Sequence, residues 1–218
     1  MRLTSGLIII YEDRDLIAVD KPAGLLSIAA RGGREKTAYW ILAEYLRKRG
    51  GGGGSPAVVH RLDRDTSGVM IFAKSGWVKK KLMDRWDELV TERRYVCLAE
   101  GELGGEGGTI DLPLGEDAGG RVVVRKDGKP ALTRWKLLGF RERFNTLYSL
   151  LSLELETGRR NQIRAHLAAL GHPVAGDKKY NAKTDPLKRL CLHAEKIAFR
   201  HPRDGRLLEF ESPNPFSL

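Results

Sequence analysis

An α+β fold with a mixed, largely antiparallel sheet is predicted from three observations. Strand-like segments outnumber helical ones, several neighbouring strands are joined by short turns, and no internal repeat is present. The 218 residues, 41% hydrophobic and 30% charged, are enough for one core and fit a single domain over residues 1–218, not a chain disordered throughout.

The elements follow in order. Segments 7–11 and 16–19 are apolar strands separated by the polar turn Glu12-Asp13-Arg14-Asp15, and Lys21-Pro22-Ala23-Gly24 ends the pattern. Over 37–49, Ala38, Ile41, Leu42, Tyr45 and Leu46 share one helical face, with Gly50 as the stop. Gly50 to Gly54 then reads as an exposed loop, and its basic lead-in Arg47-Lys48-Arg49 as a solvated helix end. Segments 57–59 and 69–73 are buried strands around a polar loop, 60–68. One amphipathic helix is expected over 76–89, with Val78, Leu82 and Trp86 inward and Lys79-Lys80-Lys81 on a solvated face. Short strands are expected at 95–99, at 121–125 and 133–138 around the turn Asp127-Gly128, and where Leu151, Leu153 and Leu155 alternate. A last helix spans 162–170, with Asn161 as its N-cap and Gly171 and Pro173 at its end; strands at 192–199 and 206–210 finish the chain.

Charge narrows the choice of partners. Lys and Arg exceed Asp and Glu by 38 to 28, a formal charge of +10, and such a surface attracts polyanions, nucleic acid first. Cys97 and Cys191 lie far apart with no CxxC or Cys/His cluster, which indicates neither a disulfide scaffold nor a zinc site and fits a reducing cytoplasm. The apolar run 7–10, followed by Glu12 and Asp13, is too short for a signal peptide or a membrane span.

Two segments hold chemistry-bearing residues. The loop His60-Arg61-Leu62-Asp63-Arg64-Asp65-Thr66-Ser67-Gly68 sets five ionisable side chains between apolar strands; it is either a site or a turn in which Asp65, Thr66 and Ser67 bond to backbone. In Gly158-Arg159-Arg160-Asn161-Gln162-Ile163-Arg164, three arginines crowd a helix start. The macrodipole disfavours cations there by a few tenths to about 1 kcal/mol each. Either the arginines face water or a carboxylate or RNA phosphate compensates them.

Together these segments closely resemble the RluA-type pseudouridine synthases. The likeness lies in Val59-His60-Arg61-Leu62-Asp63-Arg64-Asp65-Thr66-Ser67-Gly68 with Ala73-Lys74, and in Gly158 through His166 with Gly171-His172-Pro173-Val174-Ala175-Gly176-Asp177 and Tyr180. Tyr11-Glu12-Asp13 with Lys21-Pro22-Ala23-Gly24 is similar to the opening motif, Arg93-Arg94-Tyr95 to the basic-x-Tyr element and Leu192-His193-Ala194 to the closing strand. The resemblance implies an enzyme that isomerises uridine in tRNA and/or rRNA, on a pseudouridine synthase fold with a central RNA-binding cleft. It also implies that Asp63 is the catalytic aspartate, Tyr95 the active-site tyrosine and Arg164 the arginine paired with the aspartate. His60, Arg61, Lys21, Arg159, Arg160 and Gln162 are then expected to bind RNA. Isomerisation needs no redox change or group donor, so no cofactor is expected, and no metal site either.

Asn161 departs from a usual histidine and Arg93 from a common lysine, and neither removes a catalytic group. No room is expected for the S4-like N-terminal domain of many relatives, nor is an obligatory protein partner or a membrane role; a cytoplasmic monomer is. The rivals are a catalytically silent RNA-binding protein on the same fold and a carboxylate-dependent nuclease or glycosylase. The loop around Asp63 lacks the clustered carboxylates that suit Mg²⁺.

Overall fold

The computed structural model describes residues 1–29, 33, 35–49 and 55–216, so the glycine run 50–54 expected as a loop lies outside the described residues. In chain order the first elements are β1 (Ile8–Glu12), β2 (Leu16–Lys21), α1 (Ala38–Lys48), β3 (Ala57–Val58), β4 (Ser67–Ala73), α2 (Gly76–Asp84) and α3 (Trp86–Leu89). Then come β5 (Val90–Glu100), β6 (Gly107–Asp111), β7 (Leu114–Glu116), β8 (Val122–Val124), β9 (Leu132–Arg143), β10 (Thr146–Leu155), α4 (Gln162–Ala169), β11 (Leu192–Arg200) and β12 (Leu207–Glu211). The chain forms two compact units, Met1–Glu92 with Ala194–Pro213, and Arg93–His193 with Asn214–Leu218.

In the first unit the strand order is β1, β2, β4, β11, with β3 paired to β4 and β12 to β11. β1 and β2 are antiparallel, as are β2 and β4, which sets Val19 opposite Met70. The turn between β1 and β2 is closed by Asp13, whose Oδ1 accepts the amides of Asp15 and Leu16 at 2.8 Å each. All seven residues of β4 are buried, as its continuous apolar run requires of a strand covered on both faces. Gly68, at φ +111°, is needed there, because a Cβ would stand 2.1 Å from the Ala194 carbonyl oxygen. The core joins Leu16, Ile71, Leu82, Ile197, Phe199 and Phe210.

Helix α1 forms where the apolar spacing places it, and Thr37 Oγ1 caps it by accepting the Trp40 amide at 3.1 Å. The single helix expected over 76–89 is corrected to two. Ser75 caps α2, which buries Val78 and Leu82, but Arg85 leaves helical geometry (φ −122°, ψ 30°). The break re-aims α3, whose Trp86 packs on the core with its ring 5.4 Å from that of His60.

In the second unit the order is β5, β10, β9, β6, all antiparallel, with Leu151 opposite both Cys97 and Leu137. The strands expected on either side of Asp127-Gly128 form but take other partners, β8 pairing with β7 and β9 with β10 and β6. Strand β6 had no alternation to reveal it. Its Gly108 leaves room for the Trp135 ring, which a Cβ would meet at 3.1 Å. Cys97 and Cys191 are buried in this core with free thiols, and burial pushes the Cys191 thiol up to about 12. Both are apolar packing groups, not nucleophiles. Among the described residues no helix is long and apolar enough to cross a membrane.

Candidate active site

The first unit carries Lys21, His60, Arg61 and Asp63; the second carries Tyr95, Arg159, Arg160, Gln162 and Arg164.

The loop between β3 and β4 is held from both sides of Asp63. On its N-terminal side, the Ser27 hydroxyl donates to the Leu62 carbonyl at 2.7 Å and accepts the Leu62 amide at 3.2 Å. On its C-terminal side, the Arg64 carbonyl accepts from Lys21 Nζ at 2.9 Å and from the Gly24 amide at 3.0 Å. Lys21 Nζ also donates to the Leu25 and Pro22 carbonyls, at 2.7 and 3.0 Å. With Lys21 0% exposed and its three protons on carbonyls, the expected RNA contact is corrected: this lysine positions backbone. His60 is half-buried, and its Nε2 accepts the Ile71 amide at 3.0 Å, which anchors the start of the loop to β4. Asp63 itself is partly exposed. Arg61 is exposed and has no hydrogen-bond or ion-pair partner among the described residues, and Asp65 is exposed too.

In the second unit Tyr95 lies on β5 opposite Leu153 of β10, half-buried against the core. Arg93 reaches from the same strand to the Leu155 and Glu156 carbonyls at 2.7 and 2.9 Å. At α4, Arg164 is 9% exposed and forks onto Asp177, Nε to Oδ2 at 2.6 Å and Nη2 to Oδ1 at 2.8 Å. Its guanidinium also lies 5.2 Å from the Tyr180 ring centroid, and the Tyr180 hydroxyl donates to the Val122 carbonyl at 2.8 Å. Asp177 is thus one carboxylate that the crowded arginines called for, in the Gly176-Asp177 pair whose role spacing did not reveal.

Gln162, expected to touch RNA, is 2% exposed and its amide is spent internally. Its Oε1 accepts from the Thr157 hydroxyl at 2.8 Å and the Arg159 amide at 3.0 Å, and its Nε2 donates to the Leu132 carbonyl and Thr133 Oγ1, both at 3.0 Å. The expectation is corrected to a positioning role. Asn161 holds the N-cap position as expected but makes no side-chain cap bond; it sits at φ 53°, ψ 23°, a left-handed conformation that asparagine tolerates well. Arg159 and Arg160 are exposed, Arg159 Nε donating to the Pro130 carbonyl at 3.0 Å and Arg160 Nη2 lying 3.1 Å from Glu116 Oε1.

The network continues through buried His166. Its Nε2 donates to the Leu112 carbonyl at 2.9 Å, so Nδ1 accepts from the Thr133 hydroxyl at 3.0 Å. Burial pushes His166 below its ordinary 6.5.

A family model described as RNA pseudouridylate synthase matches residues 15–169. The uncharacterized RNA pseudouridine synthase YlyB of Bacillus subtilis is 38% identical over 212 residues, covering 95% of this chain and 69% of that protein. A ribosomal large subunit pseudouridine synthase D of Nitrosomonas europaea is 36% identical over 223 residues, covering 95% of this chain and 62% of that one. The solved structure of human RNA Pseudouridylate Synthase Domain Containing 1 matches with a TM-score of 0.78 and 26% identity, over 96% of this chain and 84% of that one. This chain belongs to the RNA pseudouridylate synthase family and is an RNA pseudouridine synthase, an isomerase.

Two outcomes follow from the second unit's polar core. Asp177→Ala takes the forked carboxylate from a buried guanidinium and is expected to cost about 3–5 kcal/mol in chemical denaturation; a loss within experimental error would show that the pair holds nothing. Because the fold favours neutral His166, its contribution is fully present above about pH 6.5 and is lost as pH falls through the lower folded value. Unfolding free energy should decline on acidification below about pH 6.5, and His166→Gln, less stable throughout, should lack that part of the decline.

Proposed function

We propose that Asp63 is the catalytic carboxylate with which this RNA pseudouridine synthase rearranges uridine, in tRNA and/or rRNA, as one catalytic domain acting in the cytoplasm. In this reaction the bond from base N1 to the sugar's C1′ breaks, the base turns, and C5 bonds to C1′. The proton on C5 leaves and N1 gains one, so no oxidant or group donor enters the balance. An ionised carboxylate serves either as nucleophile toward C1′ or as a base. Arg164 is assigned to keep Asp63 ionised and oriented. Tyr95 offers a ring face for uracil and a hydroxyl near the moving proton. These three roles rest on the family motif.

The observation that supports Asp63 is the backbone held on either side of it, while the choice of Asp63 over Asp65 rests on the family motif. Leu62 is held by Ser27, and the Arg64 carbonyl by Lys21 and Gly24, so the backbone is fixed one residue to either side of Asp63. Arg61 supports the reading differently. A uridine in folded RNA must leave its stack at a cost of about a few kcal/mol, and a long, unpaired, flat cation beside the reactive carboxylate suits the vacated space or a flanking phosphate. The ribosomal title of the Nitrosomonas relative favours rRNA among the targets.

The test uses RNA carrying tritium at uracil C5. The protein should release label without strand scission or free base. Asp63→Asn should lower release by about a thousandfold or more while leaving the gel shift in place, and Asp65→Asn should be milder. Arg61→Ala should weaken both binding and turnover. Reversed phenotypes at 63 and 65 would remove Asp63 from its role, and parent-like binding and turnover in Arg61→Ala would remove Arg61 from its own. Sequencing RNA from cells with and without the gene, after pseudouridine-specific chemistry, names the target or shows that neither tRNA nor rRNA is one.

A further inference from the structure

The second unit holds a pocket of about 420 Å³ whose lining includes none of the proposed catalytic residues. Its volume falls in the range of about 300–1,000 Å³ typical of small-ligand sites. The apolar lining is Leu114 and Val122, both buried, while Glu116, Lys129, Arg159 and Arg160 are exposed around it.

One wall is pinned. Leu114 and Lys129 exchange backbone hydrogen bonds at 2.9 and 2.8 Å, and Gly128 passes so close that a Cβ would stand 2.6 Å from the Leu114 backbone. The Asp127-Gly128 turn is thereby folded back onto β7, and Asp117 Oδ1 ties the β7–β8 connection by accepting the amides of Gly119 and Arg121. The shape is built in advance of any ligand.

The charges do not cancel. Asp127 is forked by Arg125 at 2.8 and 2.7 Å, and Glu116 is paired with Arg160 at 3.1 Å. Lys129 has no carboxylate partner among the described residues, and Arg159 uses only Nε, on the Pro130 carbonyl, leaving both terminal nitrogens of its guanidinium turned to no protein acceptor. Two cations beside an apolar floor match a ligand with a flat apolar face and an anionic group.

We propose that this pocket is a subsite for a nucleotide of the RNA other than the target uridine, its base on Leu114 and Val122 and its phosphate on Lys129 and Arg159. The proposal rests on the reading that this chain acts on RNA and gives the second unit a part in choosing which RNA. Arginine and lysine suit the phosphate, and the Leu114 and Val122 side chains lining the floor carry no hydrogen-bonding group that would demand one base edge pattern.

The test measures RNA binding over a salt series for the parent, Lys129→Ala, Arg159→Ala and the double variant, with Lys80→Ala on α2 as comparison. Each pocket variant should weaken binding about fivefold and flatten the dependence of log affinity on log salt by about one unit, the double variant by about two. Both side chains are exposed, so thermal unfolding should match the parent. Parent-like slopes, or an equal loss in Lys80→Ala, would overturn the subsite. In a second arm, adenosine 5′-monophosphate and inorganic phosphate are titrated against the amide resonances of Gly128, Lys129 and Arg159. Tighter binding of the nucleotide supports the base floor, and equal binding by phosphate overturns it. A parent that releases no tritium from uracil C5 sinks the underlying reading. Parent-like variants on an RNA that the parent modifies sink only the subsite.

Discussion

The buried ammonium of Lys21 is the interaction on which the loop between β3 and β4 depends. A charged amine withdrawn from water is costly unless each proton finds an acceptor, and here the acceptors are the carbonyls of Pro22, Leu25 and Arg64. Two of these belong to the turn after β2 and one to the loop beyond Asp63, so satisfying the charge fixes the two segments together. Ser27, two residues past Leu25, repeats the device with a neutral hydroxyl that both donates to and accepts from Leu62. With Leu62 and Arg64 both held, the backbone that carries Asp63 has little freedom to lose.

The second unit uses the same logic with other groups. Gln162 ties the turn before α4 to β9, His166 continues the chain of hydrogen bonds to Leu112, and Asp177 takes the fork of Arg164. Each is buried and hydrogen-bonded, so removing one partner leaves another exposed to the full cost of desolvation. Arg61 in the first unit and Arg159 and Lys129 in the second are exposed cations outside these internal networks.

Much of this was legible in the sequence where one force dominated. Helix α1 followed from apolar spacing, and β4 from an unbroken apolar run, because burial alone decides such segments. Strands β6 and β7 escaped notice because their pairing rests on neighbouring strands and on glycines that admit Trp135 and the Asp127-Gly128 turn, with no periodicity of their own. The break at Arg85 was hidden because Val78, Leu82 and Trp86 keep helical spacing across it. Among site residues, the motif gave Lys21 and Gln162 without their roles. Residue type suggests contact with RNA, whereas burial, visible only in three dimensions, makes both of them internal fasteners. Asp177 was in view as part of a motif, but a partner thirteen residues away cannot be assigned from spacing alone.

Isomerisation leaves the mass of RNA unchanged, which makes nucleoside composition the most direct measurement. RNA that the purified protein modifies should be digested to nucleosides and separated before and after reaction. The expected result is a loss of uridine matched one for one by a nucleoside of identical mass that resists cleavage of its base from the sugar. Free uracil, shortened strands or an unchanged uridine content would contradict a base rearrangement at this site.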